Sequence, residues 1–324
     1  MNIDVCILAG RGNENLSRFL DSFNQLTVMP KSLIVVVDMN HREHVPDIII
    51  KDGVFLHVIE FRGSGRQPKM RNLALGASCA DYIWFMDDDV SLEVRALEKL
   101  GLVLEDIKGS RVGCVAGKIN ELISYDPSTL PVPIQLHWAR GAIGYYAADR
   151  FAFNEGKYDF FVGATGMKYP IVPFPQGTSM VFSVNLFRGI GFNEALGVDY
   201  ASYEDAEPSF TLKRHGLFTI YSPDFELEHH KLLRIDGSDR SSKSLSYNYY
   251  LVRNHTLSLI TNNYPSKLLA VGYSLSFTAV QFLRFLRSSK GDFKGCLISP
   301  LIFISAFFAG FWHGIKPRKG CNVK

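Results

Sequence analysis

Two apolar runs in the N-terminal part of the chain stop abruptly on aspartate. Ser32-Leu33-Ile34-Val35-Val36-Val37 ends at Asp38, and Tyr82-Ile83-Trp84-Phe85-Met86 ends at Asp87-Asp88-Asp89. Ile3–Leu8 is a similar run that breaks at Gly10 and Gly12, and Val54–Phe61 is another. Between them, Leu16, Phe19, Leu20 and Phe23 recur at helical spacing, and residues 69–80 read as a helix. Strands that are apolar throughout, rather than alternating, are buried on both faces. Such strands separated by helices predict an α/β fold with a mostly parallel sheet and helices on both faces. In such sheets ligands bind beyond the carboxyl ends of the strands. Asp38 and the aspartate triplet are expected there.

The length of 324 residues suffices for a large core, and 47% hydrophobic with 21% charged residues excludes a disordered or fibrous chain. A net charge of only +3 argues against a general nucleic-acid binder. That value averages two unlike regions. Residues 1–266 carry 26 Lys/Arg against 31 Asp/Glu, whereas residues 267–324 carry 9 against 1. The later region is also apolar. Leu268–Leu283 has no charged residue, and Gly295–Ile315 has only Cys296 and His313 as titratable side chains, although Pro300 interrupts it. Basic residues, among them Lys267, Arg284, Arg287, Lys294 and Lys316, flank both segments. A membrane span needs roughly 20 apolar residues, so the first segment is short and the second marginal. The expectation is a division into residues 1–264 and a basic, apolar helical tail at 265–324. The tail would lie on, or re-enter, the cytoplasmic leaflet of a membrane, with a pair of buried core helices as the alternative. The N-terminus lacks the basic and long apolar regions of a signal peptide. Cys6, Cys79, Cys114, Cys296 and Cys321 are odd in number and widely spaced, which fits a reducing compartment.

Three adjacent carboxylates repel each other unless a cation or strong donors hold them. An isolated Asp triplet reads as a solvated turn; at the end of a buried strand it reads as a metal or nucleotide site. Hard divalent ions such as Mg²⁺ take carboxylate oxygens together with substrate phosphates. On extended chain Asp87 and Asp89 point one way and Asp88 the other. Arg66, Lys69 and Arg71 surround Gly63-Ser64-Gly65, a basic, Gly-containing loop before a helix that suits a diphosphate. The segment from about 120 to 200 is rich in Pro, Gly and aromatics and is expected to form loops and short strands around a cleft. An acidic helix start at Tyr203-Glu204-Asp205-Ala206-Glu207-Pro208 runs on to a C-capping Gly216.

Taken in order, these motifs resemble a family 2 glycosyltransferase, the inverting GT-A type that uses nucleotide-sugar donors, over residues 3–260. Trp84-Phe85-Met86-Asp87-Asp88-Asp89 resembles the DxD strand end of that family. Ile34–Asp38 is similar to the strand whose terminal Asp meets the nucleoside, and Lys69-Met70-Arg71-Asn72-Leu73-Ala74 to its Lys-Arg-Asn helix start. Gln176-Gly177-Thr178-Ser179-Met180 resembles the acceptor-side strand, and Tyr203-Glu204-Asp205 with Arg214 and Gly216 resembles the ED motif. The resemblance implies Asp205 as general base with Glu204 assisting. It implies metal ligation by Asp89, Asp87 and one of His229 and His230, the ion being Mn²⁺ or Mg²⁺. Donor or acceptor contacts would come from Asp38, Arg66, Lys69, Arg71, Asn72, Asp87, Asp88, Gly177 and Arg253. The QxxRW signature of processive synthases is absent, since Gln281-Phe282-Leu283-Arg284-Phe285 only imitates it, which implies transfer of a single sugar. The implied partners are a nucleotide-diphosphate sugar, a glycan or lipid-linked acceptor and the cytoplasmic leaflet, with no nucleic acid. A sugar-nucleotide nucleotidyltransferase and an inactive, membrane-bound saccharide-binding protein are the rival readings.

Overall fold

The computed structural model describes residues 1–9, 13–39, 47–63, 66–121, 169, 171–172, 174–197, 203–230, 244–263, 266–288 and 293–316. Gly10 and Gly12, Ser64 and Gly65, most of the Pro- and aromatic-rich segment, and the last basic residues lie outside them. The first half of the chain comprises β1 (Ile3–Ala9), α1 (Asn13–Asn24), β2 (Ser32–Asp38), β3 (Phe55–Phe61), α2 (Arg66–Ala77), β4 (Tyr82–Met86), β5 (Val90–Leu92), α3 (Ala96–Asp106) and β6 (Val112–Glu121). The second half comprises β7 (Ser179–Ser183), α4 (Val184–Phe187), a 3-10 turn at Glu194–Leu196, α5 (Glu207–Arg214), β8 (Phe218–His229), α6 (Leu245–Asn262), α7 (Lys267–Ser288) and α8 (Phe293–Ile315).

The eight strands form one sheet in the order β3-β2-β1-β4-β7-β6-β8-β5. The β1–β2, β1–β4, β2–β3 and β6–β8 pairs are parallel, whereas β7 runs against both β4 and β6 and β5 runs against β8. The sheet is therefore mixed α/β, with the parallel half at its N-terminal side.

Strand alternation sends side chains to two separate cores. Val5, Ile7, Leu33 and Val35 pack with Leu16, Phe19 and Phe23 of α1 and Leu100 and Val103 of α3. Cys6, Ile34, Val36 and Phe85 face the other way, onto Met70, Ala74 and Leu75 of α2 and Phe187 of α4. Helices thus cover both faces, and the β-branched runs of β1 and β2 are sandwiched as their composition requires. Cys6 and Cys114 are buried free thiols and Cys79 is an exposed one.

Helix α5 closes as expected from Gly216. With Gly216 at φ 71°, Leu217 N–H bonds Leu212 O and Gly216 N–H bonds Lys213 O, the two bonds of a Schellman end. A buried polar cluster joins α5 to α6. The Thr211 hydroxyl lies 2.9 Å from Glu207 Oε1 and 2.8 Å from Asn262 Oδ1, and the Asn262 amide donates to Glu207 Oε1 at 3.0 Å.

The two apolar C-terminal segments are helices, and α8 runs unbroken through Pro300. Both pack on α6 in a third core that contains Val252, Leu259, Phe277, Phe285, Phe303 and Phe307. Ala306, Gly310 and Gly314 repeat every four residues on α8 and let it approach α6 closely. A Cβ at Gly310 would run into the Arg253 carbonyl oxygen, and one at Gly314 would stand 2.8 Å from Ile260 Cβ. Among the described residues, one stretch, Ile298–Ile315, is long and apolar enough to cross a membrane, with a mean hydropathy of 1.6 and 33% of it buried.

Candidate active site

Parallel pairing of β1 with both β2 and β4 places the carboxyl ends of β2 and β4 on one edge of the sheet. Asp38, the last residue of β2, and the triplet that follows β4 therefore share that edge. Asp38 and Asp88 are buried, whereas Asp87 and Asp89 keep partly open carboxylates.

The short strand β5 fixes the remaining donor. It pairs with β8 so that Val90 stands opposite His229, and His230 N–H bonds the Asp89 carbonyl at 2.8 Å. One ligand atom each from Asp87, Asp89 and His229 lies within 4.8 Å of the others, with His229 Nε2 3.3 Å from Asp89 Oδ1. Two carboxylates and an imidazole form a donor set that suits Mn²⁺ and tolerates Mg²⁺. His230 turns elsewhere. Its Nε2 is 2.6 Å from the Ser91 hydroxyl, and burial depresses its basicity, with Arg18 adding to the effect.

The turn that enters β7 touches both halves of the site. The Thr178 hydroxyl donates to Asp87 Oδ2 at 3.3 Å. Its neighbour, Gly177, donates its backbone N–H to Asp205 Oδ2 at 3.2 Å. The other carboxylate oxygen of Asp205 accepts from the Ala206 N–H at 2.9 Å. Only a small residue fits at Gly177, since a Cβ there would lie 3.3 Å from Asp205 Cβ and 3.4 Å from Arg71 Nη2.

Arg71 is the hub between the acidic motifs. Its side chain is 1% exposed, and its guanidinium lies 3.9 Å from Asp87 Oδ1 and 3.6 Å from Glu204 Oε1. The Phe192 ring lies 5.5 Å from it on another side. A buried guanidinium requires such counter-charges, because an isolated ion in a protein interior is costly to desolvate. Asp205 retains a partly exposed edge, yet loss of hydration raises its pKa above the usual carboxylate value, opposed by Arg71 and the Gly177 and Ala206 N–H groups.

Glu204 and Asp205 occupy a turn that precedes α5, not the first turn of the helix, which begins at Glu207. Tyr203 initiates that turn at φ 66°, a left-handed conformation that costs a residue with a Cβ about 1–2 kcal/mol. Asn72 and Arg253 hold a neighbouring segment. The Asn72 amide exchanges bonds with the Phe192 backbone (N–H to Oδ1 2.7 Å, Nδ2 to O 3.0 Å), and Arg253 Nη1 donates to Ala195 O at 3.0 Å. Burial lowers the Arg253 pKa. Lys69 lies half-buried near the start of α2, and the Arg66 side chain lies outside the described residues.

Thr178, Ser91 and Tyr203 are contacts that the motif reading did not single out. Thr178 directly follows Gly177 and was legible from that position. Ser91 and Tyr203 acquire their roles from strand pairing and from a backbone angle.

No family model and no curated protein matches the sequence. Solved structures do match in fold. S. aureus TarS 1–349, solved with UDP-GlcNAc, superposes with a TM-score of 0.58 at 14% identity over 95% of this chain and 82% of that one. GalNAc-T7, solved with UDP, GalNAc and Mn²⁺, superposes with a TM-score of 0.54 at 16% identity over 78% of this chain and 47% of that one. The curled mixed sheet with its flanking helices is the GT-A fold of the glycosyltransferases.

Proposed function

We propose that the chain is an inverting, metal-assisted glycosyltransferase of the family 2 type. It would move one hexosyl-type sugar from a nucleotide-sugar to an acceptor hydroxyl. The observation that carries this reading is the shared turn at Gly177-Thr178, which bonds Asp205 on one side and Asp87 of the Asp87/Asp89/His229 donor cluster on the other. A base and an anion-leaving site on either side of a sugar are what a single displacement needs. The solved structures similar in fold hold UDP-sugar components, and one holds Mn²⁺, which supports the same donor class here.

A Mn²⁺ or Mg²⁺ ion at Asp87, Asp89 and His229 would neutralise charge on the leaving diphosphate. The chain's own groups do the rest. Asp38 and Asp88 stand at the strand ends on the nucleoside side, with Lys69 as a cation for the diphosphate. Asp205, fixed through both its oxygens by the Gly177 and Ala206 N–H groups, accepts the acceptor hydroxyl proton. The hydroxyl oxygen then bonds the anomeric carbon as its bond to the diphosphate oxygen breaks, which inverts the configuration. Arg71 keeps Glu204 and Asp87 at fixed separation while charge moves.

The acceptor we favour is a lipid-linked or surface-polysaccharide precursor at the cytoplasmic leaflet, with residues 265–324 as the membrane-associating part. The support is a second apolar face on α8. Opposite the residues packed on α6, Ile298, Leu301, Ile304, Phe308, Trp312 and Ile315 are exposed along one side of the helix. The 9 Lys/Arg against 1 Asp/Glu in residues 267–324 suit an anionic surface, each cation contributing on the order of 1 kcal/mol. The proposal is tested with a panel of UDP- and GDP-sugars in Mn²⁺ or Mg²⁺. Release of nucleoside diphosphate supports it. Pyrophosphate release in a parallel arm that supplies a nucleoside triphosphate and a sugar 1-phosphate would indicate a nucleotidyltransferase, and sugar binding without turnover an inactive saccharide binder.

A further inference from the structure

Three aromatic rings from three parts of the chain meet behind the acidic turn. The Tyr203 ring stands edge-on to His255 of α6, with centroids 5.0 Å apart at 70°, and to Phe277 of α7 at 6.0 Å and 86°. His255 and Phe277 stack on each other at 4.0 Å and 16°. The three residues are 4%, 0% and 1% exposed, so this is a dry cluster. Tyr203 immediately precedes Glu204-Asp205 and holds φ 66°. Glycine takes that angle freely, and tyrosine takes it only where its surroundings over-determine it. Edge-to-face and stacked rings at these separations are favourable aromatic geometries.

We infer that His255 and Phe277 are positioning residues for Asp205. The inference rests on the reading of Asp205 as the base. The two stacked rings clamp the Tyr203 ring and so hold its backbone in the left-handed turn. That turn aims the Asp205 carboxylate at the Gly177 and Ala206 N–H groups. Phe277 belongs to the apolar C-terminal segment, so α7 supports the acceptor side of the site as well as adding apolar surface. The backbone that carries Asp89 and His229 is held separately, by the pairing of β5 with β8, so metal and UDP binding are read apart from the clamp.

The test uses the full-length protein and amide hydrogen exchange read at Gly177 and Ala206, together with steady-state kinetics and Mn²⁺-dependent UDP binding. In Phe277→Ala, exchange at those two amides should rise about tenfold or more while amides of β1 and β4 keep their protection. The turnover number should fall about tenfold or more with donor KM and UDP affinity within about threefold. Phe277→Met, which refills the volume and contacts the rings through sulfur, should restore both to within about threefold. Tyr203→Gly should behave like Phe277→Ala, although glycine suits φ 66° better, because the ring is gone. Unchanged exchange at Gly177 and Ala206 in Phe277→Ala and Tyr203→Gly overturns the inference. So does equal loss of protection throughout the sheet, or a Phe277→Met variant as impaired as Phe277→Ala. Exchange does not depend on turnover. A wild-type protein that transfers no sugar removes the glycosyltransferase reading while the clamp is still decided by exchange.

Discussion

The backbone N–H of Gly177 reaches Oδ2 of Asp205 over 3.2 Å, so a turn at the head of β7 orients a carboxylate 28 residues further along the chain. Position 177 leaves little room for a side chain beside that bond. A methyl group there would press on Asp205 Cβ at 3.3 Å and on Arg71 Nη2 at 3.4 Å. Gly177→Ala should lower turnover about tenfold through a displaced carboxylate, while the unfolding free energy from urea titration changes by about 1 kcal/mol or less. Chemical denaturation and kinetics on the same preparation check this.

Asp205 should show its raised pKa in two ways. As a base it is active when ionised, so turnover rises with pH through the elevated value and is lost below it. The stability sign is opposite. A carboxyl whose folded pKa is raised contributes stability below its unfolded value near 3.8, and that contribution is lost as pH rises through the folded pKa. Asp205→Asn stays neutral at all pH. It should cut turnover by about 10²–10⁴-fold while gaining stability over the wild type as pH is raised from 4 to 8. Thermal unfolding at both pH values reads the difference.

His229 enters the donor cluster only because β5 and β8 pair with Val90 opposite it. His229→Ala should weaken Mn²⁺ binding by about tenfold or more, measured by calorimetry, with the fold unchanged by circular dichroism. Chelation of the wild type should abolish transfer, and added Mn²⁺ or Mg²⁺ should restore it.

Phe308 and Trp312 lie on the exposed side of α8, away from the buried Phe303, Ala306 and Phe307. Phe308→Ser with Trp312→Ser should leave thermal stability close to wild type and reduce partitioning onto anionic vesicles about tenfold. Sedimentation with vesicles of phosphatidylglycerol measures it. Raised salt should weaken the wild-type interaction as well.

The strand ends were readable because β1, β2 and β4 are buried on both faces and so carry uninterrupted apolar runs; Tyr82–Met86 matches β4 residue for residue. Other parts depend on tertiary pairing. The run from Phe218 reads as ending at Tyr221, since Pro223 and Asp224 break the pattern. In the structure β8 continues to His229, and the break is absorbed as a register shift opposite Gly117 and Lys118. Strand β5 has three residues, too few to show a period, yet it sets the position of His229. The acidic pair Glu204-Asp205 imitates the first turn of a helix, the environment a macrodipole favours. Pro208 marks the true start, because proline suits the first helical turn, and Tyr203 at φ 66° keeps the pair outside it. Arg71 reads as a diphosphate contact from its motif. Its placement at 1% exposure between Asp87 and Glu204 follows from packing that no local pattern encodes.

The central claim joins the donor cluster to the base in one displacement. Its most direct test is nucleoside diphosphate release from a UDP- and GDP-sugar panel in Mn²⁺, with the anomeric configuration of the glycoside read by NMR. The account predicts release that requires metal, a product of inverted configuration, and loss of transfer in both Asp89→Ala and Asp205→Asn. Full transfer by either variant in the presence of metal, or a product of retained configuration, would contradict it.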